Sequence, residues 1–126
     1  MPDLALTPFL LFDGTCAEAM AFYQRALGGE LTMHRAGDRV AFAHLAAGAI
    51  EIGATDWMHA TRRPQPGNTV ALDLTGAAAE LRPIFDALAD GGDPSLRDDL
   101  RELPIGLYGH LADRYGVHWF FRGEAA

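Results

Sequence analysis

The chain has 126 residues, of which 49% are hydrophobic and 21% are charged, values typical of one globular domain with an ordinary core. Its net charge of −7, with only ten Lys and Arg residues, argues against nucleic acid or an anionic membrane surface as a partner. A single cysteine cannot form an internal disulfide, so we expect a reducing, cytoplasmic environment.

The first predicted elements are a strand and a helix. Residues 4–12 are apolar and aromatic enough for a buried strand, in which Pro8 should lie near an edge or a bulge. Thr15 and Glu18 have the spacing of a capping box, which predicts that a helix begins there. Gly28-Gly29 ends this helix. Its apolar stripe recurs at helical spacing and consists of Cys16, Met20, Tyr23 and Leu27.

Three short strands and a linker follow. The strands are predicted at residues 30–35, 39–46 and 49–54. Residues 57–67 are rich in Pro, Gly and charge, and we interpret them as the linker between two halves. Trp57 is an unusual residue for a plain spacer, and it could cover a pocket mouth or form a dimer contact.

The second half begins with a strand predicted at residues 69–74, followed by a helix at about 77–90. Pro83 requires that this helix either begins late or is kinked. Residues 93–103 carry many charges, so we expect an exposed loop with at most a fragment of strand. Two closing strands are predicted at residues 107–111 and 117–121.

The two halves have the same order of elements. Residues 6–30 and 69–93 both contain an apolar strand, a break, a helix, Gly-Gly and an acid, with an offset of 63 residues. We therefore predict one domain over residues 1–126, built from modules at 1–56 and 68–123. A cleft between such halves is the default place for a binding site.

Three motifs carry a resemblance to a known family. FDGTCAEAMAFYQRALGGE, IEIGATD and YGHLADRYGVHWFF resemble the PhnB-like branch of the vicinal oxygen chelate superfamily. That superfamily also contains glyoxalase I, fosfomycin- and bleomycin-resistance proteins and extradiol dioxygenases. The resemblance implies an α+β fold in which two tandem βαβββ modules form a cup-shaped, barrel-like sheet with helices outside. It also implies a homodimer.

The resemblance allows a test for a metal site. Metal-dependent members place His and Glu ligands on four strands that face into the cup. The matching positions here are Leu6, Glu51, Thr69 and Phe120, of which only the Glu51 carboxylate is a good ligand. Because catalytic zinc normally needs three protein ligands, we predict no metal and no other cofactor.

A displaced metal site is the alternative. Strand alternation directs His118 to the same side as Phe120, with Trp119 in the core. Glu51 with two of His44, His110 and His118 would form a His-His-carboxylate set suited to zinc, iron or nickel.

Glu51 allows two interpretations. It is either a strand residue that reaches solvent or pairs with Arg39 or a histidine, or a general base in a partly apolar pocket. Cys16 also has two: a thiolate favoured by the helix N-terminus, or a core residue, which we favour. The predicted pocket residues are Leu6, Pro8, His44, Glu51, Trp57, Thr69, Ala71, Tyr108, His110, His118 and Phe120.

Two functions remain open at this point. The first is a metal-free protein that binds a small, partly apolar molecule in the cup. The second is a lyase- or isomerase-type enzyme that uses Glu51 as a base or in the displaced metal site. An interaction protein with a filled cup is less favoured, because Ala49, Gly53 and Ala71 leave room for a cavity. We expect a homodimer in each case.

Overall fold

The computed structural model describes residues 4–124 and divides the chain into two compact units that meet between Gln65 and Pro66. The first unit contains one helix and four strands. These are β1 (Phe9–Phe12), α1 (Cys16–Leu27), β2 (Glu30–Ala36), β3 (Arg39–Ala47) and β4 (Ile50–Asp56).

The second unit repeats this arrangement. After residues 57–70, which contain neither helix nor strand, the chain forms β5 (Ala71–Thr75), α2 (Ala78–Ala89), a 3₁₀ turn (Pro94–Leu96), β6 (Asp98–Leu103), β7 (Gly106–Ala112) and β8 (His118–Gly123). No helix of residues 4–124 is both long enough and apolar enough to cross a bilayer.

Each unit contains one mixed four-stranded sheet. The strand order is β1-β4-β3-β2 in the first sheet and β5-β8-β7-β6 in the second. The first strand of each unit pairs in parallel with the last one, and all other pairs are antiparallel. The predicted fold class, α+β with two βαβββ modules, is confirmed.

The core of each unit lies between its helix and one face of its sheet. In the first unit, Met20 and Tyr23 of α1 are buried with Leu45 and Ile52 of the sheet. Each such side chain contributes about 1.5–3 kcal/mol by leaving water. In the second unit, the rings of Phe85 on α2 and Phe121 on β8 meet edge to face at 5.0 Å.

The Gly-Gly pairs end both helices as predicted, and the second glycine of each pair has a further role. A Cβ on Gly29 would lie 2.3 Å from the carbonyl oxygen of Ala46, and one on Gly92 would lie 2.4 Å from that of Ala112. In both units, therefore, the second glycine lies so close to a strand backbone that no side chain fits at its position.

The predicted capping box at the start of α1 is wrong. Thr15 makes no side-chain cap; instead, one carboxylate oxygen of Asp56 accepts the backbone N–H groups of Gly14 and Cys16, at 2.8 and 3.0 Å. Its other oxygen accepts the N–H of Val40 at 2.9 Å. A buried residue 40 positions away in sequence thus supplies the acceptor that the helix N-terminus needs.

Two other predicted elements differ from the structure, and one alternative that the sequence left open is decided. The first strand begins at Phe9, and Leu6 is 98% exposed. The second helix does not begin late, and Pro83 lies inside it. Residues 98–103 form a full strand, β6, because the charged side chains are compatible with an edge position that pairs only with β7.

Candidate functional site

Each sheet has one face packed against its helix and one face that its helix leaves uncovered. We call the face with Phe42, His44 and Glu51 the first open face, and the face with Tyr108, His110, His118 and Phe120 the second open face. On β8, His118 and Phe120 are half-buried, whereas Trp119 and Phe121 lie in the core. The predicted alternation along this strand is confirmed.

On the first open face, His44 pairs with Glu51. Glu51 lies opposite Ala46, two residues from His44 on β3, so the two side chains are diagonal neighbours on one face. Nε2 of His44 and Oε1 of Glu51 are 3.2 Å apart, with side-chain exposures of 34% and 59%. The sequence allowed Arg39 or a histidine as the partner of Glu51. The structure shows His44 in this role, whereas Arg39 binds Asp13 at 2.9 Å.

Two phenylalanines that we did not select lie beside this pair. Phe42 stacks on His44 with ring centroids 6.4 Å apart, and Phe9 contacts Phe42 at 6.1 Å. A Cβ on Gly53 would lie 2.6 Å from the Phe9 ring, so only glycine leaves room for this ring. The pattern Phe42-Ala43-His44, with both rings on alternate positions of one strand, was the sequence signal for this cluster.

On the second open face, two imidazoles bind each other. Nε2 of His110 and Nδ1 of His118 are 3.1 Å apart, a hydrogen bond in which one ring donates and the other accepts. The rings are stacked, with centroids 5.2 Å apart. Burial, followed by the neighbouring His118, lowers the pKa of His110 below its ordinary value, while Asp98 on β6 acts in the opposite direction.

Aromatic rings extend this imidazole pair along the sheet. The ring centroids of Phe120 and His110 are 4.5 Å apart, and those of Tyr108 and Phe120 are 6.1 Å apart. Ala71 lies opposite His118 in the strand register. These predicted pocket residues are therefore brought together on one face.

A charged pair that we did not predict lies at one end of the same sheet. Arg122 donates from Nε and Nη2 to the carboxylate of Asp73, and this hydrogen bonding lowers the pKa of Asp73. Arg122 is directly opposite Tyr108 in the register. Arg101 lies over the Tyr108 ring at 5.8 Å, within the range of a cation–π contact.

Two clefts on the second unit are lined by residues of the second open face. One has a volume of about 910 Å³ and lies between the start of α2, Ile105, Tyr108 and Arg122. The other, of about 620 Å³, is bordered by residues 66–68, 91–93 and 112–116 and is also lined by His118. Both volumes are in the range of small-molecule sites.

Comparison with known proteins gives the family context. No known family profile matches the chain. It is 27% identical to protein YjdN of Escherichia coli (strain K12) over 92% of both chains. Protein PA1353 from Pseudomonas aeruginosa is 28% identical, with a TM-score of 0.85 over 98% of this chain and 100% of that one.

Two further solved structures decide the fold. The PhnB protein from Bacillus cereus has a TM-score of 0.73 at 23% identity, over 95% of this chain and 99% of that one. The glyoxylase/bleomycin resistance protein/dioxygenase domain from Frankia sp. EAN1pec has a TM-score of 0.63 at 19% identity, over 98% and 99%. The chain has the vicinal oxygen chelate fold. The fold that the resemblance implied is confirmed.

The four ligand positions implied by the vicinal oxygen chelate fold have different surroundings here. Leu6 and Thr69 lie outside the strands and are exposed. Pro8, also exposed, directly precedes β1, and its carbonyl accepts the N–H of Gly53 at 2.9 Å. Glu51 and Phe120 lie on the first and second open faces.

The residues of the displaced metal site form two pairs, one in each unit: His44 with Glu51, and His110 with His118. Across residues 4–124, no group of three or more His, Cys, Asp or Glu side chains is close enough to hold a metal ion.

Trp57 and Cys16 are held by local contacts. The Trp57 backbone N–H binds the Phe12 carbonyl at 2.6 Å, and its indole N–H binds that of Thr61 at 2.9 Å. Cys16 is fully buried; burial, and then the nearby Asp56 carboxylate, raises the pKa of its thiol to about 12. These surroundings agree with the core interpretation of Cys16.

Proposed function

We propose that this chain is a PhnB-like, metal-free protein that binds a small molecule in the central cup of the vicinal oxygen chelate fold. The observation that carries the proposal is the composition of the two open faces. Both present half-buried or exposed aromatic rings next to imidazoles. Such a surface suits a small, partly apolar ligand that also accepts or donates hydrogen bonds.

The donor set supports the metal-free part of the proposal. Leu6 has no ligating atom, Thr69 offers a weakly binding hydroxyl, and Phe120 has no polar atom. A lone Glu51 carboxylate, 59% exposed to water, would hold a divalent ion weakly. The same scaffold without these ligands can still enclose a ligand.

Equilibrium dialysis against zinc, nickel, manganese and iron tests this proposal. We expect less than one ion per chain at low micromolar free metal. Stoichiometric binding of any of these ions with a Kd below about 1 µM would overturn the metal-free proposal.

The His44–Glu51 pair favours one alternative, an acid–base enzyme. A carboxylate that accepts a hydrogen bond from one imidazole nitrogen fixes the tautomer and leaves the other nitrogen as a base. The reaction would be of lyase or isomerase type, with His44 or Glu51 moving a proton of the substrate.

Glu51→Gln distinguishes this enzyme from a binding protein. If an activity is found and depends on the pair, the substitution should reduce kcat by about 100-fold or more. Glu80→Gln, an exposed change on α2 in the other unit, is the matched control. An undiminished activity in Glu51→Gln would remove Glu51 from the mechanism.

We also propose that the chain forms a homodimer in the cytoplasm. The support is a set of large apolar side chains, Leu4, Leu6, Val70 and Ile105, that are three-quarters or more exposed in a single chain. Burial of the only cysteine is compatible with a reducing compartment. Light scattering at high micromolar concentration should give twice the mass of the chain; the mass of one chain would contradict the dimer.

A further inference from the structure

The smaller cleft of the second unit has an imidazole in its wall. Three backbone segments, residues 66–68, 91–93 and 112–116, border this volume of about 620 Å³, and His118 lines it. Pro66 lies against Gly116, where a Cβ would come within 2.7 Å of the proline ring. Because residue 116 is glycine, this turn can pack directly against Pro66 at the edge of the cleft.

The two nitrogens of His118 have different surroundings. Nδ1 is held by Nε2 of His110 at 3.1 Å. Within residues 4–124, Nε2 of His118 has no hydrogen-bond partner and is not buried. His118 lines the cleft, and a ligand that binds its Nε2 would leave the bond between the two imidazoles intact.

The hydrogen bond between the rings allows two arrangements of protons. If His110 donates from Nε2, His118 must carry its proton on Nε2 and can donate to a ligand. If His118 donates from Nδ1, its Nε2 is bare and can accept from a ligand, while His110 carries its proton on Nδ1. Each neutral ring holds one proton in both arrangements, so the exchange changes no net charge.

The surrounding charges favour a neutral pair and a neutral ligand. His110 faces Asp98 on β6, Phe120 on β8 and no charged side chain of its own strand. In the cleft, Asp93 accepts from Ser95, Asp113 accepts from three N–H groups, and Arg114 binds Asp90. These charges are already engaged, and the carboxylates would repel an anion.

We propose that this cleft binds an uncharged small molecule through a carbonyl or hydroxyl oxygen at Nε2 of His118, with His110 setting whether that nitrogen donates or accepts. His118 is then the ligand-binding residue and His110 a positioning residue. The inference rests on the proposed small-molecule function, but it requires neither the closed cup nor the absence of a metal. Because burial and His118 lower the pKa of His110, that ring stays neutral at pH 7.5.

NMR of the imidazole nitrogens in the full chain tests the pair itself. We expect coupling across the hydrogen bond between the two rings, and a mixture of the two proton arrangements for His118. Acetophenone, which only accepts hydrogen bonds, should shift His118 towards protonated Nε2, and 1-phenylethanol should shift it less or in the opposite direction. Equal shifts with both probes, or no coupling between the rings, would overturn the inference.

Two variants separate binding from positioning. His118→Leu should weaken acetophenone binding about fivefold to tenfold, the loss expected for one hydrogen bond. His110→Leu should leave His118 able to bind but abolish the coupling between the two rings, since the bond between them is lost. His59→Gln, which changes an exposed imidazole beside the Trp57 ring in the first unit, should change neither property.

The outcomes distinguish this inference from the proposed function. If the probes bind and shift resonances only outside the cleft, the small-molecule function stands and the inference fails. If neither probe binds at millimolar concentration, the inference fails, while dialysis against metals still decides the metal-free proposal. Unchanged thermal unfolding of each variant shows that the comparison is between folded chains.

Discussion

Each open face has a histidine on the third strand of its unit, His44 on β3 and His110 on β7, but the two histidines have different partners. On the first open face, His44 binds the Glu51 carboxylate; on the second open face, His110 binds His118. A carboxylate fixes one tautomer of its imidazole, whereas a second imidazole leaves the tautomer free. One scaffold thus supplies one face suited to proton transfer and one suited to an adaptable hydrogen bond.

The buried carboxylates of the two units also differ. Asp56 connects distant segments, because its carboxylate oxygens accept the backbone N–H groups of Gly14, Cys16 and Val40. Asp113 binds mainly within its own turn, at Tyr115 and Val117, and adds the indole of Trp119. Loss of Asp56 should therefore affect the whole first unit, and loss of Asp113 mainly one turn and one side chain.

The largest expected effect concerns Cys16, which has no counterpart at the start of α2. With its pKa raised to about 12, the native thiol should hold about a thousandfold less thiolate at pH 8 than an ordinary thiol, since the unperturbed value is 9.0. Reaction with a disulfide reagent should therefore require unfolding. Reaction of the native chain at the rate measured in concentrated urea would contradict this burial.

The next effect tests the two buried carboxylates. Asp56→Ala should lower the free energy of unfolding by about 4 kcal/mol, because three N–H groups lose their acceptor. Asp113→Ala should cost about 2 kcal/mol, since water can reach its half-buried turn. Asp86→Ala, on the exposed side of α2, is the control. Urea denaturation measures all three, and equal losses for Asp56 and Asp113 would remove the distinction.

A smaller effect compares two glycines at the end of α1: Gly28, where a side chain would only strain the backbone, and Gly29, where it would also collide with a carbonyl group. Gly29→Ala should destabilise by about 3 kcal/mol, because its Cβ would collide with the Ala46 carbonyl in addition to the strain of a positive φ. Gly28→Ala has the same strain but open space, and should cost about 1 kcal/mol. Thermal unfolding measures the loss of stability in both variants. Equal losses would disprove the close approach of Gly29 to the Ala46 carbonyl.

The smallest effect is the pH dependence contributed by His110. An imidazole whose pKa is lower in the folded than in the unfolded chain binds fewer protons when folded, so stability falls as the pH drops below its ordinary value of 6.5. His110→Leu should reduce this fall, and His59→Gln should leave it unchanged. A steeper fall in His110→Leu than in the unsubstituted chain would reverse the sign and contradict the assignment.

Local sequence signals predicted most of the fold. The Gly-Gly pairs, the apolar stripe of α1 and the alternation of His118, Trp119 and Phe120 are local patterns that the structure follows. The cap of α1 was missed because its acceptor, Asp56, is distant in sequence. Strand β6 was missed because edge strands tolerate charge, which is also the signal of a loop.

The candidate site was predicted less completely than the fold. Composition and alternation selected His44, Glu51, His110 and His118, but not which of them bind each other, since that depends on strand register. Phe42 and Arg122 were missed because a lone aromatic or arginine on a strand is common and becomes informative only beside its neighbours. Side-chain pairs across a sheet are tertiary information.

Native mass spectrometry of the untreated protein shows whether the chain carries an organic molecule or a metal ion. We expect chains that carry a small organic molecule, with no metal ion at one per chain. A single zinc, nickel, manganese or iron ion on most chains, lost in Glu51→Gln, would contradict it.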